Sequence, residues 1–340
     1  MRDSLTPMTI PAPYLLYLGR STDHAGIKTS RGLAVFRPEA CVGEFRHDDG
    51  PLTLGLERLT MEQAAARGAR TLVLGVANAG GTLGPDLVVD ALAAIATGMN
   101  VAAGLHQRLR DEPRLVEAAA AAGVALFDVR DPPADLAVGT GQPRAGRRLL
   151  TVGTDCSVGK MYSTLALARG LADRGIAADF RATGQTGILI AGTGVPVDAV
   201  IADFISGAIE ALAPARTDDG WDLIEGQGSL LHPSYAGVSL GLLHGAQAEA
   251  LVLCHDPSRS HMRGLPGRAL PGMAETLALN LQLAKATAPH VRGVGICLNT
   301  SRLDEGAARA ACDAAAAELG LPATDPFRFG VDPILDGLCA

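Results

Sequence analysis

The chain has 340 residues, 48% hydrophobic and only 4% aromatic, with a formal net charge of −7. That length exceeds the size at which one hydrophobic core keeps growing, so two domains of about 150 to 190 residues are expected. Interspersed charges leave no clustered Lys and Arg for DNA or RNA, no stretch attains the roughly 20 uncharged apolar residues of a bilayer span, and the N-terminus lacks a signal-peptide pattern. Nucleic acid and membrane partners are therefore excluded, and a cytoplasmic location is expected.

Six cysteines, at 41, 156, 254, 297, 312 and 339, have neither the paired spacing of a zinc site nor the density of a disulfide scaffold. Reduced thiols and no metal site are expected.

In chain order, residues 14–19 and 33–36 read as short strands. Residues 60–67 have helical spacing and 71–77 form a buried strand. The turn Asn78-Ala79-Gly80-Gly81 then leads into a helix over 85–97. Strands at 101–103 and 125–129 around a helix at 115–122 continue the alternation, which gives a Rossmann-like first domain over 1–140. Residues 130–146 are rich in Pro, Gly and Arg, carry no apolar periodicity and mark the boundary; Arg144, Arg147 and Arg148 read there as a solvated charge run. The pattern restarts with strands at 149–152, 177–182, 221–225, 248–254 and 291–299. Helices at 160–174, 197–212, 273–286 and 307–319 are interleaved with them. The expected fold is α/β, the Rossmann-like domain being followed over 147–340 by a P-loop NTPase-like, doubly wound, mainly parallel sheet.

The run Gly153-Thr154-Asp155-Cys156-Ser157-Val158-Gly159-Lys160 stands between a strand and a helix, the context a phosphate-binding loop requires. Its N–H groups and the positive end of the following helix suit an anion, and Lys160 adds a point charge. The loop resembles that of dethiobiotin synthetase-like enzymes. Met161 stands where a nucleotide-hydrolysing loop has a Ser or Thr ligand for Mg²⁺, and a thioether is a poor partner for that hard ion. Ser163 and Thr164 lie further along the helix. A phosphate-bearing ligand without obligatory Mg²⁺, such as coenzyme A, becomes attractive.

Glu225 closes the next apolar strand before Gly226-Gln227-Gly228-Ser229, and strand ends are where open parallel sheets place their sites. It is a candidate for proton transfer or metal binding, or for simply orienting the loop. Arg181 has the fork geometry to hold a carboxylate, with Gln185, Thr186 and Gly187 in the turn after it; an ion pair is its ordinary alternative. Asp203 and Ser206 follow on the next helix. Ser229, His232 and Ser234, and then Asp256 and Arg259 in the polar run 254–263, complete the expected lining. His255 and His261 are not spaced as a zinc pair. Cys156 reads as a small residue in a crowded loop, because the sequence places no His to activate it.

Four segments carry a wider resemblance: Gly-Thr-Asp-Cys-Ser-Val-Gly-Lys-Met at 153–161, Phe-Arg-Ala-Thr-Gly-Gln-Thr-Gly at 180–187, Glu-Gly-Gln-Gly-Ser-Leu-Leu-His-Pro at 225–233 and Cys-His-Asp-Pro-Ser-Arg at 254–259. With Asn-Ala-Gly-Gly at 78–81 and Asp-Pro-Phe-Arg-Phe-Gly at 325–330, they resemble the D-glutamate N-acetyltransferase family over nearly the whole chain. The resemblance implies transfer of an acetyl group from acetyl-CoA to the amine of D-glutamate, in a catabolic route where a dehydrogenase acts next. Residues 153, 154 and 156–161 would hold the CoA phosphates and Arg181 a substrate carboxylate. Glu225 or Asp155 would be the base, and Lys160 or the loop N–H groups would stabilise the oxyanion. Rival readings are a MgATP-dependent ligase or kinase, a nicotinamide-dependent epimerase or dehydratase, and a non-catalytic nucleotide-binding protein. The first domain lacks Gly-x-Gly-x-x-Gly spacing after a strand. Enzymes of this size commonly form symmetric homo-oligomers, which is the expectation here.

Overall fold

The alternation of apolar strands and helices resolves into two all-parallel sheets in a computed structural model that describes residues 10–23, 26–76 and 81–339. The described residues divide into two units, a first that comprises those between 10 and 131 together with Gln185–Pro196, and a second that comprises Pro132–Gly184 together with 197–339.

In the first unit, β1 (Tyr14–Gly19), β2 (Cys41–Arg46), β3 (Thr71–Leu74), β4 (Asn100–Ala103) and β5 (Leu126–Asp128) lie in the order β2-β1-β3-β4-β5. Every residue of β1 and β3 is buried, as expected of strands covered on both faces. Leu15, Leu72, Leu74 and Val101 pack there with Val88, Ala91 and Ile95 of the helix Pro85–Ala96. Thr60 and Gln63 form a reciprocal capping box that starts the helix Met61–Ala66. Residues 33–36, expected as a strand, belong instead to the helix Lys28–Phe36, and the strand beside β1 is β2. The buried positions Thr29, Ser30 and Leu33 follow helical spacing, and a four-residue apolar run does not separate strand from buried helix by periodicity. Asn78, Ala79 and Gly80 of the expected glycine turn lie outside the described residues.

The second unit contains β6 (Arg147–Gly153), β7 (Ala178–Arg181), β8 (Trp221–Ile224), β9 (Ala250–His255), β10 (Arg292–Leu298) and β11 (Ala323–Thr324), in the order β11-β10-β9-β6-β8-β7. The chain builds toward one edge through β8 and β7, then crosses β6 and builds the other way. The strand order therefore reverses between β8 and β9, and the crevice beyond the carboxyl ends of β6, β8 and β9 is the place for a ligand. Over 197–212 the expected single helix is two short 3₁₀ turns, Val197–Ala199 and Ala202–Phe204, before the helix Ile205–Leu212. Extended backbone at Ile201 separates the turns. Among the described residues no helix is long and apolar enough to cross a membrane.

The arginines at the boundary are not a solvated run. Arg144 donates from Nη1 to the carbonyls of Glu210 at 2.8 Å and Ala213 at 2.6 Å, and from Nη2 to that of Gly245. Arg148 is only 5% exposed and donates to the carbonyls of Ala145 and Arg144, while Arg147 stacks 4.9 Å over the Trp221 ring. Glu210 adds a return clamp by accepting from the N–H groups of Thr140 and Gly141 and from the Thr140 hydroxyl. The entry to β6 is thus fastened by charged groups bonded to backbone. Arg144→Ala removes the donors from several carbonyls at once, and chemical denaturation should register a loss of about 2–3 kcal/mol.

Candidate functional site

β6 delivers the chain into the phosphate-type loop, and two tethers fix its first residue to the end of β9. Thr154 N–H donates to the Cys254 carbonyl at 3.2 Å, and Thr154 Oγ1 lies 3.0 Å from His255 Nδ1. Burial holds the His255 imidazole below its usual pKa and so favours its neutral form. Gly159 enters the helix Lys160–Asp173 at φ 102°, where a glycine is at ease, and Ser157 holds the left-handed region at φ 54° without being glycine. The first-turn N–H groups of that helix have no intrahelical acceptor and face an anion site by construction.

On the adjoining strand end, Gly226 allows β8 to ride against β6: a Cβ there would lie 1.7 Å from the Thr151 carbonyl. Gly226 N–H donates to Thr151 Oγ1 at 3.0 Å, Thr151 Oγ1 meets Thr164 Oγ1 at 2.9 Å, and Thr164 donates to the Lys160 carbonyl at 2.7 Å. Ser163 is buried and bonds with the thiols of Cys254 and Cys297. Both hydroxyls beyond Met161 are thereby committed to the interior.

Lys160 is 6% exposed, and its ammonium donates to the carbonyls of Asp155 and Gly228, each at 2.8 Å. Burial pushes its pKa down. Glu225 Oε2 accepts the N–H groups of Thr183 at 3.0 Å and Gly184 at 3.1 Å, while Thr183 Oγ1 donates to the Glu225 carbonyl at 2.6 Å. Burial raises the Glu225 carboxyl to about 7, against the opposing pull of those N–H groups, Gln227 and Lys160. A carboxyl with that affinity exchanges protons at neutral pH.

Asp155 is wholly buried and organises the other wall. Its Oδ1 accepts Cys156 N–H at 2.7 Å, and its Oδ2 accepts Arg259 Nη1 at 3.1 Å and Arg263 N–H at 2.7 Å. Arg259 also donates to the carbonyls of Cys156 at 2.8 Å and Ser157 at 2.7 Å, and its Nε lies 3.2 Å from Asp256. Asp256 in turn accepts Ser258 N–H and Oγ. Arg263 is exposed and bonds to Ser157 Oγ.

The sequence candidates divide accordingly. Residues 153–161, Glu225, Asp256 and Arg259 gather at the carboxyl ends of β6, β8 and β9; Ser229 and His232 are buried in the loop after β8. Ser229 Oγ accepts Leu231 N–H at 3.3 Å. Arg181 is placed otherwise. It is registered with Ile224, so its side chain leaves the sheet on the face opposite Glu225. Its guanidinium binds the buried Asp222 at 2.8 Å and also reaches Asp179. There it lines an open depression of about 210 Å³ with Arg216 and Asp218. Gln185, Thr186 and Gly187 fall in the first unit, where Thr186 Oγ1 meets Thr29 Oγ1 at 2.8 Å. Ser206 bonds to the Gly241 carbonyl, and Asp203 and His261 are exposed. Sequence reasoning did not single out Thr183, Gly184, Gln227 or Arg263. The first two act through backbone N–H groups, as the glycine-bearing turn after Arg181 leads one to expect.

The structure does bring a histidine to Cys156. Ligand atoms of Asp155, Cys156 and His232 lie within 4.8 Å of one another. These donors fit a metal poorly, because Arg259 already neutralises Asp155. His232 Nδ1 accepts Ser234 N–H at 3.2 Å, which leaves the proton on Nε2, 3.2 Å from the Arg263 carbonyl. That proton also denies His232 the role of base toward Cys156, whose thiol burial pushes up.

Residues 52–132 match a family model described as the domain of unknown function DUF1611_N, a Rossmann-like domain, and residues 137–335 match DUF1611_C, a P-loop domain. A D-glutamate N-acetyltransferase from Pseudoalteromonas sp is 48% identical over 332 residues, covering 98% of this chain and 100% of the relative. An enzyme of the same name from Tritonibacter scottomollicae is 48% identical over 331 residues, covering 97% and 99%. The crystal structure of a DUF1611 family protein from Anabaena variabilis superposes with a TM-score of 0.88 at 34% identity, covering 97% of this chain and 99% of that one.

Arg259→Ala strands the Asp155 carboxylate and should cost about 3–5 kcal/mol in thermal or chemical unfolding. Adding Asp155→Asn to it should recover part of that loss, and a double-mutant cycle measures the coupling.

Proposed function

We propose that this chain, which belongs to the DUF1611 family of D-glutamate N-acetyltransferases and is an amino-acid N-acetyltransferase, moves the acetyl group of acetyl-CoA onto the α-amine of D-glutamate as a step in D-amino-acid catabolism. The observation that carries the reading is Glu225, a buried carboxyl raised to about 7 at a strand end beside the phosphate-type loop. The two relatives named for the same reaction support the choice of acceptor.

In this reading the loop N–H groups and the start of the helix at Lys160 bind the CoA phosphates. With Ser163 and Thr164 turned inward, no hydroxyl adjoins Lys160 to ligate Mg²⁺, which favours CoA over MgATP as the phosphate-bearing ligand. The amine nitrogen attacks the thioester carbonyl carbon, a C–N bond forms and the C–S bond breaks. Glu225 removes the proton from nitrogen, and the departing sulfur is reprotonated as the free thiol of CoA. The Lys160 ammonium, which reaches the Gly228 carbonyl, stabilises the oxyanion, while the loop N–H groups stay with the phosphates. Asp155 positions Arg259 and the loop rather than acting as the base, since Arg259, Arg263 and Cys156 occupy its oxygens. Arg263 presents an exposed guanidinium for a substrate carboxylate, a task for which Arg181 is already neutralised by Asp222 and Asp179.

Thiol release from acetyl-CoA in EDTA should depend on D-glutamate, exceed that with L-glutamate, and yield N-acetylglutamate by mass. No release with any amino acid would return MgATP turnover to first place. The base must be deprotonated, so kcat/KM should climb about tenfold per pH unit below 7 and level off above it. Glu225→Gln should lower kcat by about 10²–10⁴-fold with acetyl-CoA affinity retained; a full acetylation rate would remove Glu225 as base. The same carboxyl bears on stability. A folded-state pKa of about 7 against an ordinary 4.5 means that stability is lost as pH rises between those values. At pH 8, Glu225→Gln should therefore unfold later than the parent, by up to about 3 kcal/mol.

A further inference from the structure

The carboxyl of Glu225 keeps one oxygen for chemistry. Its Oε2 accepts the N–H groups of Thr183 and Gly184, so Oε1 is the oxygen left to meet a substrate proton. Gln227, two residues on, stands beside that oxygen: a Cβ on Gly184 would come within 3.1 Å of Glu225 Oε1 and 2.8 Å of Gln227 Nε2. The Gln227 amide has a fixed sense. Thr183 Oγ1 gives its proton to the Glu225 carbonyl at 2.6 Å, so it can only accept from Gln227, and the amide atom 3.1 Å from it must be Nε2. The backbone is tied as well, because Ser239 Oγ donates to the Gln227 carbonyl at 2.9 Å and the carbonyl of the next residue, Gly228, accepts the Lys160 ammonium. The other end of the amide, Oε1, accepts nothing among the described residues, and the side chain is half-buried. Holding Glu225 in place needs only Nε2, whereas an acceptor kept open beside the base calls for a donor from outside.

A neutral primary amine carries two N–H bonds. As its nitrogen attacks the thioester carbon, one proton passes to Glu225 and the other stays in the product amide. We infer that Gln227 Oε1 accepts this retained N–H and so aims the amine lone pair at the acyl carbon, which restricts the acceptor to primary amines. The inference rests on the acetyl-CoA reading with Glu225 as base, and it adds the class of amine that the site takes. A secondary amine has a single N–H, which must go to Glu225, and it would leave the Gln227 oxygen without a partner.

The test measures kcat/KM for D-glutamate and for N-methyl-D-glutamate by thiol release from acetyl-CoA, in the parent, Gln227→Met and Gln227→Glu. Gln227→Met, similar in length but without the acceptor, should lower kcat/KM for D-glutamate about 5- to 100-fold and leave that for the N-methyl substrate nearly unchanged. Gln227→Glu also loses the amide donor but keeps an oxygen in place, so it should retain more D-glutamate turnover than Gln227→Met and preserve the parent's preference for the primary amine. An equal loss on both amines in Gln227→Met overturns the assignment, since the damage would then lie in how Glu225 is held. An undiminished D-glutamate rate in that variant overturns it too. If Gln227→Met does not fold, the preference in Gln227→Glu decides: its preservation supports the assignment and its loss overturns it. A parent that acetylates neither amine fails the acetyl-CoA reading itself and this assignment with it, whereas a parent active on D-glutamate leaves that reading standing whatever the variants do.

Discussion

A carboxylate with no access to water must be answered by donors from its own surroundings, and at Asp155 those donors come from the end of a different strand. Arg259 and the Arg263 N–H belong to the loop after β9, while Asp155 belongs to the loop after β6. Neither loop can take its shape without the other. The Asp155 carbonyl, fixed by the same anchor, accepts the Lys160 ammonium, and the Gly228 carbonyl accepts it from the β8 side. The position of the buried Lys160 ammonium therefore depends on the ion pair between Asp155 and Arg259. Ser157 keeps its left-handed backbone because Arg259 and Arg263 hold its carbonyl and hydroxyl.

Burial acts in opposite directions on the two ionisable groups at the centre. It disfavours the ammonium form of Lys160 and the carboxylate form of Glu225, which brings their proton affinities toward each other. Neither charge is neutralised by a tight direct ion pair. Glu225 instead leans on two backbone N–H groups, and Lys160 on two carbonyls. Such solvation keeps a proton transferable, where a close Lys–Glu bridge would lock both partners in their charged forms.

What was readable in the sequence follows from where each signal resides. The phosphate-type loop was readable because strand, glycine loop, lysine and helix are consecutive, and Glu225 was readable because an apolar strand ended on it. The two parallel sheets followed from the alternation of strand and helix. Arg181 was misplaced for a reason of parity, since its neighbour across the sheet is Ile224 and a single residue separates the two faces. The pairing of His232 with Cys156 depends on the path of the loop after β8, which spacing does not give. The boundary arginines were read from charge alone, although the carbonyls that Arg144 and Arg148 bind are what bury them.

The return of residues 185–196 to the first unit has a consequence for inheritance. Ile188, Leu189 and Val195 are at most 2% exposed, and the unit that buries them is not the one whose strands flank them in the chain. A gene cut near codon 132 would therefore not yield two self-sufficient modules. The downstream piece would carry an orphaned apolar segment and the upstream piece would lack a helix. Recombination that swaps one half for a foreign partner must also exchange that insert, or find a host that already accommodates it. The two halves are thus expected to pass through evolution together, as a single heritable block rather than as interchangeable parts.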